Sequence, residues 1–522
     1  MPVKHSPAKP DRRHFKPDSD GWKIGCILLA AVVLMVPAWL ASPLIRDSFW
    51  IDFVWADQFS AELRDGNLYP RWMPESHDGL GAPIFYFYPP LAFYLSGLIS
   101  LAGVSTYWSV IGAFGVAMAG SGVAMYWWLK RWTRRPLVGA LLFMAAPYHI
   151  VDFYNRGALA EYCAFGLLPL VAIAVRRAAR TGRFGMLALV YAALIMTHLP
   201  AALIVSLFFI APYALFFAAK DRQAFKPLLL GGLFGLGMAS IYLLPMMMLQ
   251  KHVAIDAITM RPDLVAANWS LLTPQHWPNR AGIQLMAWLC GGSLFAAATL
   301  LLFRRDIWAI SAIAYCIIIL GLVPGLWSLP LVEKVQFPWR MLMLAEFAVV
   351  TAFARARINI LPLTVAVLPM LMFSLLILKP GAVAAPQALD HYAARHPDVI
   401  EYLPRGAPFS DNGYSDWALD LAARHHSEQR RGDDQIGTAF YFPAWNVTCD
   451  GRAVATWADP ATKLLRWRGT SCSARIGLTP AEWLGLALSL LFSSLLIALA
   501  KAGNQSLGQS GLRLPRLLVI GR

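Results

Sequence analysis

Residues 24–40 read IGCILLAAVVLMVPAWL, an apolar run with Arg12, Arg13, Lys16 and Lys23 on its N-terminal side and no charge within it. Crossing about 30 Å of hydrocarbon takes roughly 20 mostly apolar residues, because the peptide groups find no water there and must be satisfied within the helix. The flanking basic residues hold the N-terminus in the cytoplasm. Trp39 and Leu40 precede Ala41, unlike the small residues of a cleavage site, so the run reads as a signal anchor. The rest of the chain repeats the theme. Of its 522 residues 58% are hydrophobic and 14% charged, with a mean hydropathy of +0.52, more apolar side chain than a water-soluble core absorbs.

The formal net charge of +15 falls in short clusters between apolar stretches, not on one continuous face. That is the positive-inside pattern of a membrane protein and speaks against a nucleic-acid partner. The clusters Lys130, Arg131, Arg134 and Arg135, then Arg176, Arg177, Arg180 and Arg183, then Lys220, Arg222 and Lys226 are each expected in the cytoplasm. Between them spans are expected at 106–128, 136–147, 162–175, 184–197, 201–218 and 227–246. More follow near 284–303, 307–322, 340–354, 360–378 and 484–500, about 12 in all with the first. The stretch 89–102 would invert every arginine cluster if it spanned, and reads as a helix lying at the outer surface. The expected organisation is a cytoplasmic tail 1–23 and a membrane all-α, polytopic helical bundle 24–378 with outer loops 43–105, 148–161, 247–283 and 323–339. A soluble exported module 379–478, a final span 479–500 and a cytoplasmic tail 501–522 complete it.

The module contains strand-like pieces at 438–442, 445–449 and 463–467, separated by Pro443, Asp450-Gly451 and Asp459-Pro460, which suits a small α+β or β-sandwich unit. Cys449 and Cys472 lie in it and form a candidate disulfide on an oxidising side, whereas Cys26, Cys163, Cys290 and Cys316 sit in apolar runs as core residues.

Charged and aromatic residues crowd four outer loops, which points to a site on that face, since ionisable groups near membrane depth are costly. The first cluster holds Arg46, Asp47, Asp52 and Asp57, then 69–72 and the aromatic run 85–90; the second holds Tyr148, His149, Asp152, Arg156 and Glu161. The third holds Lys251, His252, Asp256, Arg261, Asp263 and His276, and the fourth Lys334 and 336–340. Plainer readings stand beside each. Steps of five turn a helix by about 140°, so Asp47, Asp52 and Asp57 cannot all face one cleft. Asp152 and Arg156, four apart, suit a simple ion pair. Phe85 to Tyr88 suits an interfacial aromatic belt, and His198 beside Pro200 suits a satisfied polar residue at a helix end.

Asp52, Gly66, Pro70-Arg71 and Pro89-Pro90-Leu91 resemble the first outer loop of GT-C glycosyltransferases, including the lipid A aminoarabinose transferase. Residues 69–72, 87–91, 156–161 and 336–340 resemble the bacterial and archaeal membrane proteins called 6-pyruvoyl-tetrahydropterin-synthase-related, and 441–445 with Asp450-Gly451 resembles the C-terminal module of their YfhO-like relatives. The zinc-binding histidines of soluble pterin synthases have no counterpart. Relatives often carry a His/Asp arrangement after the first helix where this chain has Asp47 and Asp52, which leaves the base open among Asp47, Asp52 and Asp57.

The resemblance implies a GT-C-like fold in a bacterial inner membrane with a periplasmic active site, and inverting transfer of a sugar from a polyprenyl-phosphate donor. The acceptor would be a hydroxyl on a lipid, a polysaccharide or a protein, and membrane lipids would surround the chain. A carboxylate must take the acceptor proton, for which Asp52 comes first and Asp57 second. Asp152 and Glu161 would orient the acceptor, and Asp52 with Asp152 suit a divalent cation, Mg or Mn. Arg71, Arg156 and Arg340, then Lys251 and Lys334, would receive the lipid phosphate. Tyr69, Trp72, Tyr88, His198, Gln336 and Trp339 would line the substrate groove. The competing expectations are a flippase or transporter of lipid-linked sugar, which would carry charges mid-membrane and repeated halves, and an envelope assembly protein, which would be indifferent to Asp52→Asn.

Overall fold

A computed structural model describes residues 20–40, 48–133, 135–257, 261–356, 398–408, 415–425 and 434–509. In chain order the helices are α1 (Asp20–Leu40), α2 (Phe49–Arg64), α3 (Leu91–Leu101), α4 (Thr106–Leu129), α5 (Pro136–Met144), α6 (Pro147–Val151) and α7 (Leu159–Thr181). Then come α8 (Gly185–Thr197), α9 (Leu199–Val205), α10 (Ala211–Lys220), α11 (Phe225–Met238), α12 (Ser240–Leu249) and α13 (Arg280–Phe303). Last are α14 (Ile307–Ile319), α15 (Leu342–Arg355), α16 (Asp416–His425) and α17 (Pro480–Gln509).

Among the described residues seven helical runs are long and apolar enough to cross a membrane, or eight if the pair Arg222–Met238 and Ser240–His252, bent by 65°, is one span. This is a multi-pass membrane protein. Helices α8, α14 and α15 stand where spans were expected but have 13, 13 and 14 residues, fewer than the roughly 20 of a straight crossing. The expected span 360–378 lies outside the described residues, as do Arg46 and Asp47. Helix α3, 11 residues long, is too short to cross and packs on α2 and α4.

Two breaks shape the bundle. Proline disfavours a helical residue before it, and Ala146, ahead of Pro147, is extended at φ −62°, ψ 140°. The orphaned N–H of Tyr148 donates to Glu346 Oε1 at 2.7 Å. Glu346 comes from α15, whose residues 342–354 are all buried, as suits a helix apolar on every side. The stretch 148–161, expected as an outer loop, is therefore helical for most of its length, continuing as a π-turn over Asp152–Arg156. The second break is at Ala239 between α11 and α12. There Ser489 of α17 accepts from Ile241 N at 2.8 Å and donates to Met238 O at 2.9 Å.

The run Phe85, Tyr86 and Phe87 is no interfacial belt, being 0%, 1% and 7% exposed. Phe85 packs on Phe59 and Phe93, with centroids 4.7 and 4.9 Å apart, and Tyr86 on Phe442 at 4.8 Å. Alternating apolar residues between tight turns make the strands of the C-terminal module. These are β1 (Asp434–Phe440), β2 (Trp445–Cys449), β3 (Arg452–Val454), β4 (Thr456–Ala458), β5 (Leu464–Arg468) and β6 (Cys472–Ile476). They form two antiparallel three-stranded sheets, β1-β5-β4 and β3-β2-β6. A Cys449–Cys472 disulfide joins opposed residues of β2 and β6. The module grips the first loop: Phe440 N donates to Leu80 O at 2.7 Å, and Trp445 packs on Trp72 at 5.4 Å.

Ser489→Ala strands a peptide donor and acceptor at the Ala239 break and should cost about 1–3 kcal/mol, the usual penalty for a buried group left unpaired. Thermal unfolding of the detergent-solubilised protein measures this, against exposed Leu495→Ala as the control.

Candidate active site

The site is built where the chain breaks at Gly157 and Phe337 meet the start of α2. Gly157 ends the π-turn at φ +64°, a conformation open to glycine without strain. A Cβ there would lie 2.5 Å from the Phe49 side chain and 3.1 Å from its Cα, so the missing side chain lets α2 approach. Ser48 N donates to Arg156 O at 2.9 Å, which fixes the first turn of α2 and brings Asp52 to the start of α7. There Asp52 Oδ2 accepts from Leu159 N at 2.8 Å, at a helix N-terminus whose dipole favours a carboxylate.

Two turns of chain, 152–156 and 338–341, supply the cations. Arg156 donates to Asp152 and to Glu161 Oε2, both at 2.8 Å, and to Tyr148 Oη at 3.1 Å. Arg340 Nε donates to the same Glu161 oxygen at 2.8 Å, and Arg340 Nη1 to Gln336 Oε1 at 3.3 Å. Tyr148 Oη donates to the other oxygen, Glu161 Oε1. All five charged groups are buried: Asp52 2%, Asp152 0%, Arg156 6%, Glu161 1% and Arg340 6% exposed. Phe337, held at φ +53°, lays its ring 5.9 Å from the Arg156 guanidinium and 4.9 Å from that of Arg340.

A cavity of about 270 Å³ is lined by Asp52, Tyr88, Arg156, Glu161, Gln336 and Arg340, with His198 beside them. His198 Nδ1 accepts from Ala201 N at 3.3 Å, which leaves the ring proton on Nε2. Arg340 spends two of its five N–H donors on Glu161 and Gln336. Arg156 also borders a second cavity, of about 590 Å³, whose wall includes Phe337, Trp339 and the α13 residues Leu285, Met286 and Leu289.

The remaining expected residues lie elsewhere. Asp57 accepts a hydrogen bond from Thr106 Oγ1. Asp152, bound by Arg156, does not line the smaller cavity. Arg71 pairs with Glu482 at the start of α17 and stands over the Tyr69 and Tyr86 rings, while Trp72 packs on the module. These three, Tyr69 included, belong to the contact between the first loop and the C-terminal part. Lys251 is exposed, and Lys334, exposed too, pairs with Glu333 at 3.2 Å. Of the two carboxylates expected at a cation, Asp52 Oδ2 accepts from Leu159 N and Asp152 Oδ1 from Arg156, both at 2.8 Å. Among the described residues no three His, Cys, Asp or Glu side chains converge on one point.

Sequence reasoning missed Trp55 and the pair Glu401–Tyr402, which also line the cavity. Trp55 is three residues from Asp52 and so shares its helix face; Glu401 and Tyr402 carried no signal, coming from the stretch assigned to the module. Trp55 Nε1 donates to Asp398 Oδ1 at 3.1 Å, which also accepts from Val399 N at 2.7 Å. Burial pushes the Asp398 carboxyl up to about 7.

Fold and site thus define a multi-pass helical membrane protein carrying a small β module and a buried acid–arginine cluster beside a cavity. No protein-family model matches the chain, and no curated protein matches it. Among solved structures it is similar to arabinofuranosyltransferase AftD from Mycobacteria, at 16% identity and a TM-score of 0.41 over 73% of this chain and 27% of that one. A variant structure of AftD gives 15% identity and a TM-score of 0.43, over 72% and 30%. The chain therefore spans less than a third of the length of AftD.

Gly157→Ala should unfold at a lower temperature than Gly182→Ala. Both sit at positive φ, but a Cβ on Gly182 meets nothing within 4 Å, so the control isolates the roughly 1–2 kcal/mol of left-handed strain from the loss of the α2 approach. Asp398 sets a pH dependence. Its folded pKa lies above the unfolded carboxylate value near 3.9, so the folded chain binds this proton more tightly and loses stability as pH rises from about 4 to 7. Melting temperatures across that range should fall for the parent and fall less steeply for Asp398→Asn, the Glu401 carboxyl, also raised by burial, keeping part of the slope.

Proposed function

We propose that this protein is a GT-C-type glycosyltransferase that moves a sugar from a polyprenyl-phosphate donor to an acceptor hydroxyl at the outer face of a bacterial inner membrane. The observation that carries the reading is one small cavity walled by a carboxylate at a helix N-terminus, Asp52, and by two buried guanidiniums, Arg156 and Arg340, that share Glu161. Transfer needs both charges within reach of one sugar. The acceptor oxygen attacks the anomeric carbon and gives its proton to Asp52. The carbon–oxygen bond to phosphate breaks as the new one forms, inverting the centre. The polyprenyl phosphate leaves with the electron pair, and Arg156 and Arg340 stabilise its growing charge where water is excluded.

Glu161 has a positioning role here, since its oxygens are taken by the two arginines and Tyr148. His198 Nε2–H, Gln336 and Tyr88 suit hydroxyls of the sugar. The second cavity shares Arg156 and has an apolar wall on a long membrane helix, which favours it for the lipid chain. The Cys449–Cys472 disulfide supports an oxidising compartment for the module, and so for the adjoining cavity.

Release of polyprenyl phosphate from a panel of polyprenyl-phosphate sugars, with membrane extract as the acceptor source, tests this on the full chain in proteoliposomes. Asp52→Asn should insert normally and slow release by about 100-fold or more. Arg340→Lys, which keeps the charge but loses the planar fork, should slow it by about 10-fold or more. Wild-type turnover by Asp52→Asn rules the assignment out.

A further inference from the structure

At the opposite end of the bundle from Asp52, a groove of about 1230 Å³ opens between α1, α4, α7 and α8. Helix α7 has 23 residues and, at about 1.5 Å each, separates the two ends by roughly 35 Å, so the groove is no part of the site above. Its floor is apolar and small-featured, with Val116, Ala119, Gly120, Val123 and Trp127 on α4 and Leu170 and Ile173 on α7. Its mouth carries five arginines: Arg131, Arg176, Arg177, Arg180 and Arg183. No carboxylate lines it. Nor do these arginines make an ion pair among the described residues, although nearby acids are engaged, Asp20 by Lys130 and Asp306 by Arg304 and Arg355.

The dimensions argue for a particular occupant. From Val116 to Trp127 the groove follows α4 for about 16 Å, half of a roughly 30 Å hydrocarbon core and thus the depth of one leaflet. An apolar channel one leaflet deep, ending in guanidiniums that no carboxylate lining the groove neutralises, matches an acyl chain below and a phosphate above. Arginine forks suit phosphate oxygens two at a time, and basic pockets between membrane helices attract anionic head groups. A smaller cavity on the other flank of α7 shares Arg176 and Arg180 and adds Lys220 and Arg355, so positive potential extends around the same helix end.

We propose that this groove is a binding site for an anionic phospholipid, its phosphate held by Arg177, Arg180 and Arg183 and one acyl chain lying along α4 past Gly120. The assignment is independent of the transfer reading. Delipidated full-length protein, titrated with phosphatidylglycerol or phosphatidylcholine of equal chain length and read by native mass spectrometry, tests it. Wild type should retain phosphatidylglycerol on the order of 10-fold better than the zwitterionic lipid. Arg177→Gln/Arg180→Gln/Arg183→Gln should remove that preference. A Cβ on Gly120 meets nothing within 4 Å, so Gly120→Phe should fill the channel without disturbing the fold and lower binding of both lipids with every arginine in place. Soluble glycerophosphate should compete weakly, because it lacks the chain. Equal binding of the two lipids by wild type, a preference that survives the triple substitution, or undiminished binding by Gly120→Phe each overturns the proposal.

Discussion

The architecture of the polar end depends on one carboxylate, Glu161, shared between two guanidiniums in a place that water barely reaches. Arg156 precedes α7 and Arg340 precedes α15, nearly two hundred residues apart in the chain. Without an anion between them they would repel at close range in a poor dielectric, where removing one partner of a buried pair typically costs about 3–5 kcal/mol. With it, each guanidinium is held in a fixed orientation and the chain breaks around residues 157 and 337 become mutually supporting. Tyr148 closes the network from the side of α6, and Glu346 in turn holds the N-terminus of α6.

This arrangement explains why so ordinary a set of helices contains so many departures from regular backbone. A π-turn at 152–156, a left-handed glycine at 157 and a left-handed phenylalanine at 337 would each be unfavourable alone. They persist because the ion cluster and the packing of α2 over-determine them, as is usual where strain and buried charge coincide.

Much of the membrane layout could be read directly, because hydropathy and basic clusters act locally: runs such as 24–40, 106–128 and 284–303 carry their own evidence. Strands β2 and β5 were likewise marked by their flanking turns, and the cysteines of opposed strands by their position in a polar segment. Helices α8, α14 and α15 also end within about three residues of the expected spans 184–197, 307–322 and 340–354. At the site, residue type singled out Asp52, Arg156, Glu161 and Arg340, but their partners depend on tertiary contacts. Arg71 looks as suitable as Arg340 in the sequence and is distinguished only by the approach of Glu482. The aromatic run at 85–87 misled for the same reason: composition cannot tell a ring at the membrane surface from a ring packed under Phe442.

Ser489 has a bearing on how the chain is made. The break at Ala239 leaves two peptide groups whose partner is a hydroxyl encoded some 250 positions later. While the ribosome is still translating the middle of the chain, those groups can be served only by water or by transient neighbours. The half-helix 240–252 therefore gains the partner of its first peptide group only once α17 has been made, and the bundle is closed from its C-terminal end.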